Sequence, residues 1–129
     1  MRYRFSHHYT REEARRMIPQ IRAWLDQLAS ARHSLDRSGK RVEKLLDMGF
    51  DVGGELGKTY LRSFLGVRST LREFSSREIL VKDLDRGLVD FPSILAGREV
   101  FLCWERGEAD IEHWHDLDSG YAGREPIHE

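Results

Sequence analysis

The spacing of the apolar residues changes near residue 79, and this change constrains the fold more than any other feature of the sequence. Before it, apolar residues recur every three or four positions, which is the period of an amphipathic helix. After it, short β-prone runs show the period of two that is typical of strands. The sequence therefore predicts an α+β protein. A long antiparallel helical hairpin over about residues 10–78 is followed by a small antiparallel β-sheet of three to four strands and an irregular tail over about 79–129.

The first predicted helix begins at a capping box. Thr10 and Glu13 are spaced so that each side chain can accept a hydrogen bond from the backbone N–H of the other. Pro19 lies inside the apolar pattern and predicts a kink near the first turns, unless the helix begins there. We expect a helix over about 10–37 that continues to about 48. Its apolar positions are spaced alternately by four and three, with one arginine among them; they are Ala14, Ile18, Ile21, Leu25, Leu28, Arg32 and Leu35.

A glycine-containing loop over 49–54 precedes the second predicted helix, which covers about 54–78. Gly57 and Gly66 lower the helix propensity of this segment. They either allow a close approach of the two helices or face solvent. The predicted apolar face comprises Leu56, Tyr60, Phe64, Val67, Leu71 and Phe74, widened by Leu61 and Leu65.

The second half of the chain contains four short predicted strands, separated by turn residues such as Gly87 and Pro92. Residues 106–110 lie between the last two strands and are typical of a hairpin loop. The predicted strands cover residues 79–81, 88–91, 100–104 and 111–115.

The length and the cysteine content narrow the class of protein. A chain of 129 residues has the size of one domain, so we expect a single domain over 1–129. Its one cysteine, Cys103, excludes an intrachain disulfide framework and is compatible with a reducing compartment. No apolar run approaches the ~20 residues that a membrane helix requires, and the first residues lack the apolar core of a signal peptide. We therefore expect a soluble cytoplasmic protein with no membrane partner.

Several motifs occur in a fixed order along the strand half: Gly87-Leu-Val-Asp-Phe-Pro92, Gly97-Arg-Glu-Val-Phe-Leu-Cys-Trp104, Gly107-Glu108, Trp114-His115 and Gly120-Tyr-Ala-Gly-Arg124. Together with the Tyr-Thr-Arg-Glu-Glu-Ala opening of the first helix, they closely resemble an uncharacterised prokaryotic family, the domain-of-unknown-function family 2203. The resemblance spans nearly the whole chain. It implies a small intracellular α+β protein, and it implies no activity and no catalytic residues.

The basic residues are concentrated at the start of the chain. Residues 1–44 contain eleven Lys or Arg and five Asp or Glu, whereas residues 45–129 contain ten and seventeen. The first helix either binds an anionic polymer or packs beside the acidic strands of the same chain or of a partner. A run of charges is usually a solvated helix face, and we favour this interpretation over nucleic-acid binding, because the net charge is −1 and no aromatic residues are interleaved with the basic ones. The basic residues concerned are Arg11, Arg15, Arg16, Arg22, Arg32, Arg37, Lys40 and Arg41.

The last predicted strand hairpin holds the residues best suited to chemistry. His113 and His115 are two positions apart on a strand, so their side chains point to the same face. Cys103 lies on the neighbouring strand, and Glu108 lies in the loop that joins the two. Two or three such ligands suit zinc or another divalent transition metal. The candidate metal ligands are therefore His113, His115, Cys103 and Glu108.

The register of this hairpin decides whether the cysteine joins the histidines. With a five-residue loop, Cys103 faces His113 and shares its face of the sheet. With a four-residue loop, Cys103 moves to the opposite face and the cluster is lost. A structural interpretation competes with the metal site, because a buried cysteine usually acts as a small apolar core residue.

We predict that the protein is a non-catalytic assembly or interaction protein. The alternative is a divalent-metal-binding protein, which could be an enzyme, that uses the 103–116 hairpin. The sequence contains neither of the common glycine-rich nucleotide-binding loops. The apolar faces of a long helical hairpin need more cover than one small sheet supplies, so we expect a homodimer.

Overall fold

The computed structural model describes residues 2–128 and confirms the predicted α+β architecture. Two helices are followed by one antiparallel five-stranded sheet with the order β1-β2-β3-β4-β5. The short strand β5 lies in the predicted irregular tail and brings the number of strands to five. The elements are α1 (Arg11–Asp47), α2 (Gly54–Ser75), β1 (Leu80–Asp83), β2 (Leu88–Leu95), β3 (Arg98–Glu105), β4 (His113–Asp116), a 3₁₀ turn (Tyr121–Gly123) and β5 (Glu125–Pro126).

The chain folds into two compact units. The sheet unit contains the described residues up to Ala23 and those from Phe74 onward, and so includes the start of α1 and the whole sheet. The hairpin unit is Trp24–Glu73 and contains the rest of α1 and nearly all of α2. Within the described part of the chain, neither helix has a stretch apolar enough to cross a membrane.

The start of α1 is capped as predicted. The backbone N–H of Thr10 donates to Glu13 Oε1 at 3.0 Å, and the backbone N–H of Glu13 donates to Thr10 Oγ1 at 3.1 Å. These two bonds satisfy donors that a helix N-terminus leaves without partners. Pro19 lies inside α1, so the helix does not begin there, and it continues without interruption to Asp47.

Side chains alternate along each strand, so the two faces of the sheet carry different kinds of residues. On the helix face, the ring of Phe91 lies 5.4 Å from the ring of Tyr9, which directly precedes the capping box. The guanidinium of Arg22 on α1 lies 5.5 Å from the ring of Trp104. The helix face is therefore the apolar core of the sheet unit. The opposite face, called the polar face below, carries Asp90, Cys103 and His115.

The pairing of β3 with β4 is the register that places the cysteine beside the histidines. Phe101 lies opposite His115, and Cys103 lies opposite His113. This confirms the predicted register in which Cys103 and His113 share one face of the sheet. The next strand on the other side, β2, places Asp90 opposite Cys103.

In the hairpin unit, α1 and α2 approach each other through small residues. The hydroxyl oxygens of Ser34 and Ser63 are 2.7 Å apart. A Cβ atom built on Gly66 would lie 3.4 Å from the Cβ of Ala31, so Gly66 faces α1 rather than open solvent. Close helix packing of this kind needs small side chains on both helices, which explains why Ser63 is buried.

The predicted contact face of α2 is partly wrong, because several of its large apolar residues lie partly in solvent. Leu61 is 56% exposed, Leu65 48%, Phe64 46% and Leu71 44%. The predicted face placed Phe64 and Leu71 in the helix contact. The structure places small residues there instead, because they permit a closer approach of the two helices. Likewise Arg32, a predicted position of the α1 stripe, is exposed, whereas Ser38 is buried.

Candidate metal centre

Three side chains from neighbouring strands converge on the polar face of the sheet. Asp90 on β2, Cys103 on β3 and His115 on β4 each offer one ligand atom, and these atoms lie within 4.8 Å of one another. Asp90 and Cys103 are each 1% exposed, and His115 is 2% exposed. Three potential metal ligands are thus grouped in a place that water barely reaches.

Apolar rings cover the neighbourhood of these three residues. The ring of Phe101 lies 5.4 Å from the imidazole of His115 and 5.4 Å from the ring of Phe5, which belongs to the segment before α1. The Lys82 ammonium lies 5.6 Å from the centre of the Phe101 ring. This cover lowers the local dielectric constant and strengthens every charge interaction among the three polar groups.

The hydrogen bonds of His115 fix the orientation of its ring and affect its protonation. Its Nδ1 atom lies 2.8 Å from the carbonyl oxygen of Asp116, which can only accept, so Nδ1 carries a proton. Its Nε2 atom lies 3.1 Å from Oδ2 of Asp90. Burial lowers the pKa of His115, but the hydrogen bonds to Asp90, Cys103 and Asp116 outweigh burial and raise this pKa to about 10.

Asp90 has one oxygen in contact with His115 and one without any partner. Oδ1 of Asp90 is the only buried side-chain nitrogen or oxygen among the described residues that has no hydrogen-bond partner. A buried polar atom without a partner costs free energy, roughly 1–3 kcal/mol. This oxygen is therefore available to an additional cation or donor.

The thiol of Cys103 is held in its protonated form. Burial raises the pKa of Cys103, and this effect outweighs the hydrogen bond to His115 and the charge of Arg124, which act in the opposite direction. Since the thiolate is the reactive form of cysteine, the thiol is a poor nucleophile in this setting. A metal ion bound to the sulfur would displace the proton.

The remaining predicted ligands, His113 and Glu108, belong to a second cluster around Arg124. The guanidinium of Arg124 donates hydrogen bonds to Oε2 of Glu108 and to Nδ1 of His113, and these two atoms are 3.4 Å apart. Oε1 of Glu108 accepts a hydrogen bond of 2.7 Å from the backbone N–H of Glu105, which closes the loop between β3 and β4. Arg124 therefore supplies the positive charge between these two potential ligands.

The structure thus brings Cys103 and His115 together, adds Asp90 to them, and places His113 and Glu108 with Arg124. Asp90 was missing from the predicted set. Its signal in the sequence is that it is the single charged residue of β2, placed between the apolar residues Val89 and Phe91. The metal-binding role of the four predicted residues stays a prediction.

The basic residues in the first turns of α1 are paired within the sheet unit. Arg15 binds the carboxylate of Asp110 with two hydrogen bonds of 2.7 and 3.0 Å. Arg11 lies 3.7 Å from the same carboxylate, and Arg22 donates to the carbonyl oxygen of Glu108 at 3.4 Å. For these three arginines, the interpretation that α1 packs beside the acidic strand half of the same chain is correct.

Comparisons with known proteins identify the family of the chain. No curated protein and no solved structure matches the chain. A family model described as an uncharacterized conserved protein matches residues 7–127, which include all three residues of the cluster. The chain belongs to this family, DUF2203.

Proposed function

We propose that the protein binds one divalent transition-metal ion, of the zinc class, through the carboxylate of Asp90, the thiolate of Cys103 and the Nε2 atom of His115. The observation that carries this proposal is the convergence of the three ligand atoms within 4.8 Å. A sulfur, a nitrogen and a carboxylate oxygen form a mixed set of ligands that zinc accepts in proteins. Three protein ligands leave a fourth position of a tetrahedral ion for water or another ligand.

The hydrogen bonding of His115 supports this proposal. A histidine that binds a metal through Nε2 commonly donates its Nδ1–H to a carbonyl oxygen, which fixes the tautomer and the orientation of the ring. Nδ1 of His115 makes this contact with Asp116. Nε2 faces Oδ2 of Asp90 at 3.1 Å, and in the metal-free protein it donates a hydrogen bond to this oxygen. Two acceptors this close need a positive charge between them, which a proton supplies in the metal-free protein and a metal ion would supply in the loaded one.

The free oxygen of Asp90 supports the proposal independently. Oδ1 has no hydrogen-bond partner among the described residues, although the carboxylate is buried. A cation at the cluster would satisfy this oxygen and offset its desolvation. If Asp90 served only to hydrogen-bond His115, the burial of Oδ1 without a partner would have no explanation.

A reducing compartment suits such a site, because a thiolate ligand must stay unoxidised. This requirement favours a cytoplasmic location. We describe the site as a binding site rather than a catalytic one, since the thiol is buried and its raised pKa opposes nucleophilic chemistry.

Calorimetric titration of metal-free, untagged protein with Zn²⁺ tests the proposal. We expect one zinc per chain for the wild type, and at least a tenfold weaker affinity for Asp90→Asn, Cys103→Ser and His115→Gln. Each replacement is close in size to the natural residue, and circular dichroism in the near ultraviolet checks that each variant is folded.

His113→Gln is the matched control, because His113 lies on the same strand and face but contacts Arg124 and Glu108. It should bind zinc like the wild type. Wild-type protein without zinc affinity would overturn the proposal, and so would folded Asp90→Asn and Cys103→Ser variants with wild-type affinity.

Self-association is a second function, and the exposed apolar stripe on α2 favours it. Leu61, Phe64, Leu65 and Leu71 follow one another at helical spacing on one side of α2 and are each about half exposed. Half of four such side chains amounts to several hundred Å² of apolar surface, which reaches the size of the largest patch on a typical monomer. We propose that the stripe packs against the same stripe of a second copy.

An antiparallel pairing of two α2 helices makes this contact self-complementary, as a two-fold dimer requires. If Leu61 lies opposite Leu71 of the second copy, Phe64 lies opposite Arg68 of that copy, and aromatic–guanidinium packing is favourable. The four side chains cover part of the ~800 Å² per partner that a stable interface buries, and the flanking polar residues supply the remainder.

Analytical ultracentrifugation tests the second proposal. The wild type should sediment as a dimer, and Leu61→Lys with Leu65→Lys should sediment as a folded monomer. The control replaces two exposed residues away from the stripe, Arg37→Gln with Glu43→Gln, and should leave the dimer intact. A monomeric wild type at tens of micromolar concentration would contradict the proposal.

A further inference from the structure

We infer that the hairpin unit binds a short chain of phosphate groups, the chemistry shared by a nucleoside triphosphate and an inorganic oligophosphate, in the groove between the last turns of α1 and the first turns of α2. The groove has a volume of about 760 Å³, which lies in the range of small-molecule sites. This inference is independent of the metal cluster, which belongs to the sheet unit.

The groove is lined by cations that have no internal counter-charge. Arg37, Lys40 and Arg41 on α1 contribute to its lining, and His33 extends the row by one turn. Within residues 2–128, no ion pair or hydrogen bond involves the side chains of Arg37, Lys40 or Arg41. Among the described lining residues, Glu55 is the one acid, and its carboxylate lies 3.9 Å from the ammonium of Lys58.

The basic residues near the N-terminal end of α1 differ from those at the groove, because they have partners within the chain. There, Arg11 and Arg15 are neutralised by Asp110, and Arg22 donates to a backbone carbonyl. These three arginines of the sheet unit are therefore paired, whereas Arg37, Lys40 and Arg41 at the groove are not. Unpaired cations that line one concave surface raise the local concentration of anions.

The spacing of the cations indicates the kind of anion. The cations Arg37 and Arg41 are four residues apart on α1, which corresponds to about 6 Å along the helix axis, and the imidazole of His33 extends the row of hydrogen-bonding groups to about 12 Å. One phosphate contacts two or three neighbouring donors, whereas a row of this length can contact several phosphates in succession. Guanidinium groups bind phosphate oxygens with two parallel hydrogen bonds, and the lysine adds a point charge.

The lining also argues against a nucleic-acid strand as the ligand. Strand-binding grooves combine cations with aromatic side chains on which the bases stack. Apart from the imidazole of His33, the described residues that line this groove carry no ring. Hydroxyl and aliphatic groups from Thr59 and Leu56 lie opposite the cations instead.

Calorimetric titration of the full chain with tripolyphosphate tests the inference at low and at physiological salt. We expect measurable binding that weakens as salt increases, and an affinity at least tenfold higher than that for inorganic phosphate. Arg37→Gln should weaken tripolyphosphate binding on the order of tenfold, because a hydrogen bond to a charged group is lost. The control Arg62→Gln removes the same charge from an exposed position of α2 outside the groove, and should change the affinity less than twofold.

Titration with ATP distinguishes a nucleoside triphosphate from an inorganic oligophosphate as the ligand. Equal affinity for ATP and tripolyphosphate would indicate that the phosphate chain alone is recognised, and tighter binding of ATP would indicate a nucleotide. Three results would overturn the inference: no binding of tripolyphosphate, equal losses in Arg37→Gln and Arg62→Gln, or tighter binding of a single-stranded oligonucleotide than of either phosphate compound.

Discussion

Nε2 of His115 lies 3.1 Å from Oδ2 of Asp90, and each side chain is 2% exposed. The two residues belong to β4 and β2, so the strand that carries Cys103 lies between them. Because the pKa of His115 is raised to about 10, the imidazole is a cation in the metal-free protein at neutral pH. The pair is therefore a buried ion pair, and either partner alone would be a buried charge.

Removing either partner of this pair should destabilise the metal-free protein strongly. We expect Asp90→Leu and His115→Leu each to lower the free energy of unfolding by about 3–5 kcal/mol, because each leaves one charge uncompensated. The double variant should lose less than the sum of the two losses, since it leaves no buried charge. Urea denaturation of the four proteins in a chelating buffer measures this coupling, and additive losses would refute it.

Two glycines of α2 should respond in opposite directions to the same substitution. A Cβ atom on Gly66 would make an ordinary contact of 3.4 Å with Ala31, so Gly66→Ala should stabilise the protein by up to ~1 kcal/mol through helix propensity. A Cβ atom on Gly57 would lie 2.6 Å from the carbonyl oxygen of Val52, so Gly57→Ala should destabilise it. Thermal unfolding of both variants checks the sign of each effect, and equal shifts would contradict the helix geometry.

The capping box of α1 should contribute measurably to stability. Thr10→Ala removes the hydroxyl that accepts from the backbone N–H of Glu13, and should cost about 1 kcal/mol. Ser30→Ala, at an exposed position within α1, is the control and should change stability little or raise it slightly. Urea denaturation compares the two variants, and equal effects would mean that the cap contributes nothing.

Because of the ion pair between Arg15 and Asp110, we expect part of the loss of folding stability in acid to depend on Asp110. The hydrogen bonds from Arg15 lower the pKa of Asp110 below its unfolded value of about 4. A carboxylate with a lowered folded pKa stabilises the protein above its unfolded pKa, and this contribution is lost as the pH falls through the folded pKa. Asp110→Asn should therefore lower stability at pH 7 and reduce the loss of stability between pH 5 and pH 3.

The control for this pH dependence is Asp36→Asn, which changes an exposed carboxylate of α1. Its unfolding free energy should follow the wild-type pH profile. If Asp110→Asn also follows that profile, the ion pair has no role in the response to acid.

Local signals predicted much of this fold, because they depend on residues close in sequence. The Thr10–Glu13 capping box and the change of period near residue 79 both predicted elements that the structure contains. The β3–β4 register was reduced to two alternatives, since a loop of 106–110 allows only small shifts. The structure selects the alternative in which Cys103 faces His113.

The features that could not be predicted depend on contacts between distant segments. Asp90 joins the cluster because β2 pairs with β3, and nothing within β2 alone indicates that pairing. The packing face of α2 was misplaced because Phe64 and Leu71 dominate its hydrophobicity. The helices are instead brought together by the small side chains of Ser63 and Gly66, whose fit depends on the surface of α1.

Cobalt binding tests the central claim most directly, because Co²⁺ replaces zinc and reports on its ligands by its colour. Metal-free, untagged protein should take up one Co²⁺ per chain and develop a thiolate-to-cobalt absorption band, which one equivalent of Zn²⁺ abolishes. Cys103→Ser should lose the band, and His113→Gln should retain it. A wild-type protein that binds no Co²⁺, or binds it without a thiolate band, would contradict a metal centre formed by Asp90, Cys103 and His115.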